Sequence, residues 1–435
     1  MKKLFRSAFA FLPAKLFVAP LILLTALLQA SPPSLWISRG LGGGGALFSP
    51  SFSPHNPNEL YVACDLAGLY HSTDLGSSWS LVDFRQIQAN RSSSVQFTND
   101  AATLYCLNFK GDTGAPYKSS DNGLTWKPLA NDPTDHDAFS LSADRSNLNR
   151  IVLSDFTRIF FSNDAGVSFA KKYETSDNDS GCHVAGVFFD GDNIYVGTSQ
   201  GLLVSTDSGR SFAMSPVAGI AQSEKMFSFA GAKQDGNVRL FAVTLEAGSV
   251  YAGVSIESEY TAFKSVYSLD WGQSSWMPKT NGIAASHYPA FVSMAAGNIS
   301  TVYLAGGDDG ELPIVYKSTD GGSNWRSVLL TSNNQNVYTG WAGDRGDRGW
   351  SYGGAALGFS VAPDDANKLA YTDLGFAHLS TDGGASWRQV YLDHADQNPP
   401  NAPTPKGKNY HGVGLENTSS WWLTWSDPNN LFASF

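Results

Sequence analysis

Six short stretches of this chain spell nearly the same thing: STDLGSSW (72–79), SSDNGLTW (119–126), SNDAGVSF (162–169), STDSGRSF (205–212), STDGGSNW (318–325) and STDGGASW (380–387). SLDWGQSSW (268–276) is a seventh, stretched copy. Their aspartates are Asp74, Asp121, Asp164, Asp207, Asp270, Asp320 and Asp382, spaced 43 to 63 residues apart. A carboxylate that does chemistry is needed once or twice in a site, not once in every repeat. A short carboxylate in a turn can instead accept hydrogen bonds from the turn's own backbone. The glycine that follows tolerates positive φ, and the aromatic three residues after it can tuck between neighbouring units. The repeated aspartates are therefore read as turn-holding residues, and the repetition as an architecture.

Each unit shares a grammar around this box. A strand-like run such as FSPSFSP (48–54) or AFSLSAD (138–144) comes first, followed by a turn built on Asn, Pro or Asp. An alternating strand comes next: LYVACD (60–65), IYVGTS (194–199), VYLAGG (302–307) or LAYTDL (369–374). A third strand ends in the box, and a fourth begins at its aromatic. The shorter intervals match a four-stranded propeller blade, and the longer ones imply inserted loops. With 43 glycines, 13% aromatic and only 16% charged residues, the composition suits many tight turns between half-buried strands. The expectation is an all-β, seven-bladed β-propeller without helical segments in the mature chain.

The ends of the chain carry further expectations. Lys2, Lys3, Arg6 and Lys15 precede the apolar run LFVAPLILLTALL (16–28), which is shorter than the ~20 residues of a spanning helix and is broken by Pro20. Residues 1–30 read as a cleaved export signal, with an uncleaved anchor as the alternative and the one route to a membrane. The propeller is expected over 31–415. Residues 416–435 begin a further blade, as in the first of two tandem propellers, or close the ring against LWIS (35–38).

Several function classes find no support. A net charge of −10 disfavours nucleic acid, whose phosphates need a cationic surface. Cys64, Cys106 and Cys182 cannot all pair within one chain. Two of them lie in apolar runs where cysteine packs as a small hydrophobe, and one unassigned disulfide is allowed. Neither C-x-x-C nor H-E-x-x-H spacing occurs. The acidic clusters lack EF-hand spacing, so no metal or other cofactor is expected.

The pattern S-x-D-x-G-x-x-W resembles the Asp-box, or BNR repeat, of sialidases, sortilin-type receptors, photosystem assembly factors and family 74 glycoside hydrolases. Residues 35–79 are most similar to the start of mature family 74 enzymes. That start comprises a Trp-containing strand, a glycine cluster (here Gly42 to Gly45), a His-Pro-type turn (His55 to Asn58) and a tyrosine strand running into an Asp-x-Gly element (Cys64 to Tyr70). The resemblance implies an inverting endo-β-1,4-glucanase or xyloglucanase, with Asp65 as the general base and a polysaccharide as partner. Inversion needs a second carboxyl about 6.5–9.5 Å away. The resemblance places that acid on a second propeller, beyond Phe435. Cys64 and Ala67 depart from the family pattern, and Asp373 in YTDLGF repeats the element late in the chain.

Two alternatives stay open. Sialidases need three arginines and a Phe/Tyr-Arg-Ile-Pro element, of which FRQI (84–87) and TRIF (157–160) are near misses without the proline. A non-catalytic propeller could present a carbohydrate- or protein-binding surface. Candidate sugar-stacking aromatics are Trp341, Trp350 and Tyr352 in a glycine-rich insertion, with Tyr410, Trp421 and Trp422 near the end; the last two also suit a blade interface.

Overall fold

The alternating runs become strands, and the boxes become the turns between third and fourth strands. The computed structural model describes residues 45–66, 68–256, 259–338, 353–402, 411–415, 422–427 and 430–434. Blade 1 is built from Leu47–Phe52, Leu60–Cys64, Gly68–Ser72 and Ser80–Leu81, each antiparallel to the one before. Six more meanders follow, with first strands Gln96–Phe97, Ser140–Asp144, Val184–Asp190, Glu224–Gln234, His287–Ser293 and Gly358–Ala362. The result is an all-β, seven-bladed propeller. Blade 7 gains a fifth strand, Val337–Tyr338, parallel to Trp387–Gln389. Trp422–Asp427 and Asn430–Ser434 form a separate two-stranded hairpin.

The first and last blades are joined directly. The Leu47 N–H donates to the Asp373 carbonyl (3.1 Å), and the Trp79 indole donates to the Val390 carbonyl (2.7 Å). Two other box tryptophans make the same reach to the preceding blade: Trp325 to the Lys279 carbonyl and Trp387 to the Val328 carbonyl. In the opposite direction, the Tyr105 and Tyr303 hydroxyls donate to Leu148 and Ala366 of the following blade. Both tyrosines belong to the second-strand set Tyr61, Tyr105, Tyr195, Tyr303 and Tyr371, all fully buried. At the seams where the Trp79, Trp325 and Trp387 indoles or the Tyr105 and Tyr303 hydroxyls reach the neighbouring blade, packing is coupled to hydrogen bonding.

In the six regular boxes the same circuit recurs. In blade 1 the Ser72 hydroxyl donates to Asp74 Oδ1 and accepts the Gly76 N–H, while the Ser78 N–H and hydroxyl both donate to Asp74. Asp121, Asp164, Asp207, Asp320 and Asp382 are held in the same way, with Asn324 replacing the hydroxyl donor at Asp320. The glycine has two reasons to be glycine. Gly76 has φ +78°, and a Cβ there would lie 2.8 Å from Val390 of the neighbouring blade.

The stretched box departs from this pattern. Its extra residue moves the turn out of register, and the Asp270 carboxylate pairs instead with Arg239 (Nε 2.6 Å, Nη2 2.9 Å). Asp270 holds a cross-strand ion pair, not the box circuit.

Topology gives the ring two unlike ends. All the boxes lie at the end that carries the first-to-second-strand turns. The second-to-third-strand connections and the links between blades lie at the other end, which also carries the long insertions.

Candidate functional site

The residue that follows the second strand stands at the loop-bearing end of its blade. In blades 1, 3, 6 and 7 it is an aspartate: Asp65, Asp155, Asp309 and Asp373, of which Asp65 and Asp309 are exposed. Their surroundings differ. Asp155 is buried and caps its own turn, with Oδ1 accepting the Thr157 and Arg158 N–H groups and Oδ2 held by the Arg158 guanidinium (Nε 2.7 Å). Asp373 is fully buried and accepts the Phe376 N–H at 2.9 Å. Burial pushes its carboxyl well above the usual range, against the lowering effect of the Phe376 and Gly353 N–H groups. Its Oδ2 makes no hydrogen bond.

Asp65 is exposed. Its Oδ1 accepts the N–H of Ala46 at 2.9 Å, and its own N–H donates to the Ala46 carbonyl. The carboxylate is thus anchored by one oxygen to the strand entering blade 1. Gly45 explains the last glycine of the cluster: a Cβ there would lie 2.5 Å from Asp65 Oδ1 and 2.8 Å from Cys64 Sγ. Only a glycine lets the chain pass this close beneath the carboxylate.

Asp65 lines an open groove of about 400 Å³ between blades 1 and 2. Leu66, Leu81 and Phe84 form its apolar wall and are largely exposed, Phe84 at 57%. Phe109 and Gly111 stand opposite, with Gln88 and Asn90 supplying amide groups. The Gln88 N–H donates to the Asn108 side chain, and the Phe109 N–H donates to the Gln88 carbonyl, which pins the groove's floor to blade 2. Asp112, also exposed, follows Gly111 in the corresponding turn of blade 2. An anchored carboxylate beside an aromatic face and amide groups can bind a sugar ring through its apolar face and its hydroxyls together.

The structure brings Asp65 to this groove and leaves the box aspartates at the opposite end of the ring. Trp341, Trp350, Tyr352, Tyr410 and Trp421 lie outside the described residues. Trp422 opens the terminal hairpin, and its side chain also lies outside them. The two arginines of the sialidase near misses are engaged locally, Arg85 with Asp83 and Arg158 with Asp155. Cys64, Cys106 and Cys182 are buried free thiols, so no disulfide forms among them. Among the described residues no group of His, Cys, Asp and Glu converges to hold a metal ion. Phe84, Leu66 and Phe109 were not foreseen from sequence; the signal available was the position of VDF (82–84) in the link between blades.

No protein-family model and no curated protein matches this chain. Solved structures do. The GH74 xyloglucanase from Xanthomonas campestris aligns with TM-score 0.64 at 19% identity, over 82% of this chain and 56% of its own. An ancestral GH74 enzyme aligns with TM-score 0.63 at 19% identity, over 88% and 51%. The GH74 enzyme of Niastella koreensis aligns with TM-score 0.58 at 19% identity, over 80% and 54%. What is shared is the propeller fold. The chain spans about half the length of these enzymes.

Proposed function

We propose that this chain is an exported, carbohydrate-active propeller that binds a β-1,4-linked glucan of the xyloglucan kind across blades 1 and 2. Asp65 serves as the general base of inverting hydrolysis. The observation that carries the reading is the setting of Asp65 beside the other aspartates that follow a second strand: Asp309 is exposed as well, so what distinguishes Asp65 is its Ala46 anchor and the groove it lines. Asp155 and Asp373 are buried and hold their own turns, whereas Asp65 is exposed, anchored by one oxygen, and placed beside Phe84. The fold shared with GH74 xyloglucanases agrees with this choice of substrate.

In the proposed reaction Asp65 takes a proton from water as its oxygen attacks the anomeric carbon. The glycosidic C–O bond breaks, and a second carboxyl protonates the departing oxygen. Asp112, exposed in the turn next to the groove residue Gly111, is the candidate donor within this chain; a carboxyl supplied from outside it is the other source.

The test is reducing-end release from xyloglucan and mixed-linkage glucan by the full chain and its Asp65→Ala, Asp65→Asn and Asp112→Asn variants, with affinity electrophoresis in parallel. Turnover lost in both Asp65 variants with glucan binding retained supports the reading, and loss in Asp112→Asn assigns the acid. Binding without turnover in every protein would make this face a recognition platform. Neither binding nor turnover would overturn both.

A further inference from the structure

The axis of the ring holds a second, separate cavity. The first strands of the seven blades leave about 370 Å³ between them. At the loop-bearing end it is roofed by the second-to-third-strand connection of blade 5. Val250, Val254, Ile256 and Tyr260 of that connection are buried in one cluster with Phe48, Phe227 and Leu357. The axial position on that face is therefore filled by protein, and the Asp65 groove lies off-axis.

The walls of this cavity combine two chemistries. Phe139, Phe227, Phe291 and Phe359 contribute aromatic surface. Between them stand serine hydroxyls, several already spoken for: Ser140 and Ser154 bond each other at 2.7 Å, and Ser228 accepts the Val292 N–H. Among the described residues the hydroxyls of Ser92 and Ser142 have no protein partner. His183 adds an acceptor. Its Nε2 lies 2.8 Å from the Phe227 carbonyl and must donate to it, which leaves Nδ1 with a lone pair; burial keeps the ring neutral by lowering its pKa. Arg91 is the charged residue of the lining; its guanidinium donates to Ser255 at 2.7 Å, and its carbonyl accepts from Ser49. Among the described residues of the lining there is no Asp or Glu.

Aromatic faces interleaved with uncommitted hydroxyls and a neutral imidazole suit a small ring that is apolar on its faces and hydroxylated on its rim. At ~30 Å³ per water the space equals on the order of a dozen waters, room for one hexose or pentose ring with some hydration. We propose that the axial cavity binds a single neutral monosaccharide unit, at a site independent of Asp65. Ser92, Ser142 and His183 would meet its hydroxyls, and Phe139 and Phe227 its apolar faces.

Calorimetric titration of the full chain with D-glucose, D-xylose and D-galactose tests this. A ligand of about a dozen heavy atoms held at about −0.3 kcal/mol per atom gives a Kd on the order of millimolar. Ser142→Phe fills the cavity and is expected to weaken binding at least about tenfold. Ser92→Leu, on the loop above, does the same if the strand variant fails to fold. Asp65→Ala leaves the binding unchanged, and Ser142→Phe leaves glucan turnover unchanged, so the two sites fail separately. Absence of binding for all three sugars up to about 50 mM, or binding that neither cavity variant weakens, would overturn the proposal.

Discussion

The Trp79 indole nitrogen of the first blade lies 2.7 Å from the Val390 carbonyl oxygen of the last, joining residues 311 apart in sequence. The pair is buried at the closure of the ring. Trp79→Phe keeps an aromatic in place but leaves a buried carbonyl without its donor, at a cost of about 1–3 kcal/mol. Trp126→Phe should cost less, because the Trp126 indole bonds only to Gly123 of its own box. Urea unfolding of the two variants beside the parent measures the difference. Equal losses would mean that the closure is held by other contacts.

A second comparison separates the two roles of a turn glycine. Gly111 and Gly76 both have positive φ, +64° and +78°, but a Cβ on Gly111 meets nothing within 4 Å while one on Gly76 strikes Val390. Gly111→Ala therefore pays backbone strain alone, about 1 kcal/mol, whereas Gly76→Ala adds overpacking for a total of about 2–4 kcal/mol. Denaturation midpoints that move by the same amount would show that the blades shift apart to admit the methyl group.

How much of this was readable in the sequence follows from how local each interaction is. The box circuit closes between residues two and four apart, so Ser72, Asp74, Gly76 and Ser78 announce it within one short stretch. Asp270 misled for the same reason in reverse: its box looks nearly right, but its partner Arg239 lies 31 residues upstream on a neighbouring strand. Asp65 and Asp373 looked alike on paper. What separates Asp65 from Asp155 and Asp373 is burial by other blades and the approach of Ala46, which no local pattern encodes. The blade 5 insertion was visible as a long interval between boxes, but not as the roof of the axis.

The box carboxylates make the propeller sensitive to acid. Asp207 is held at about 2 by the hydroxyl and N–H of Ser211, and Asp320 at about 2 by the Asn324 amide with help from Ser318. A folded pKa below the unfolded 3.8 contributes stability that is present above that value and is lost as pH falls towards the folded one. His378, fully buried and pushed down to about 3, works in the same direction from its ordinary 6.5 downward. Urea midpoints should therefore fall between pH 6.5 and 2, most steeply below 4. Asp207→Asn should be less stable than the parent at pH 7 and indistinguishable from it near pH 2. A constant gap across that range would mean the Asp207 charge contributes nothing.

Asp373 has the opposite sign. Burial raises its folded pKa well above 3.8, so the folded chain keeps its proton to higher pH than the unfolded chain does. Stability from this group is fully present below 3.8 and declines as pH rises towards the folded value. Asparagine has nearly the same shape as a protonated aspartic acid and can still accept the Phe376 N–H through Oδ1. Asp373→Asn should therefore stabilise the propeller at pH 8 and do so much less at pH 4. The reason is that the variant has no proton to lose in the seam where Asp373 also receives the Leu47 N–H on its carbonyl. Urea titrations of parent and variant at the two pH values decide it. A variant less stable at pH 8 would show that the carboxylate is ionised in the fold and held by a partner.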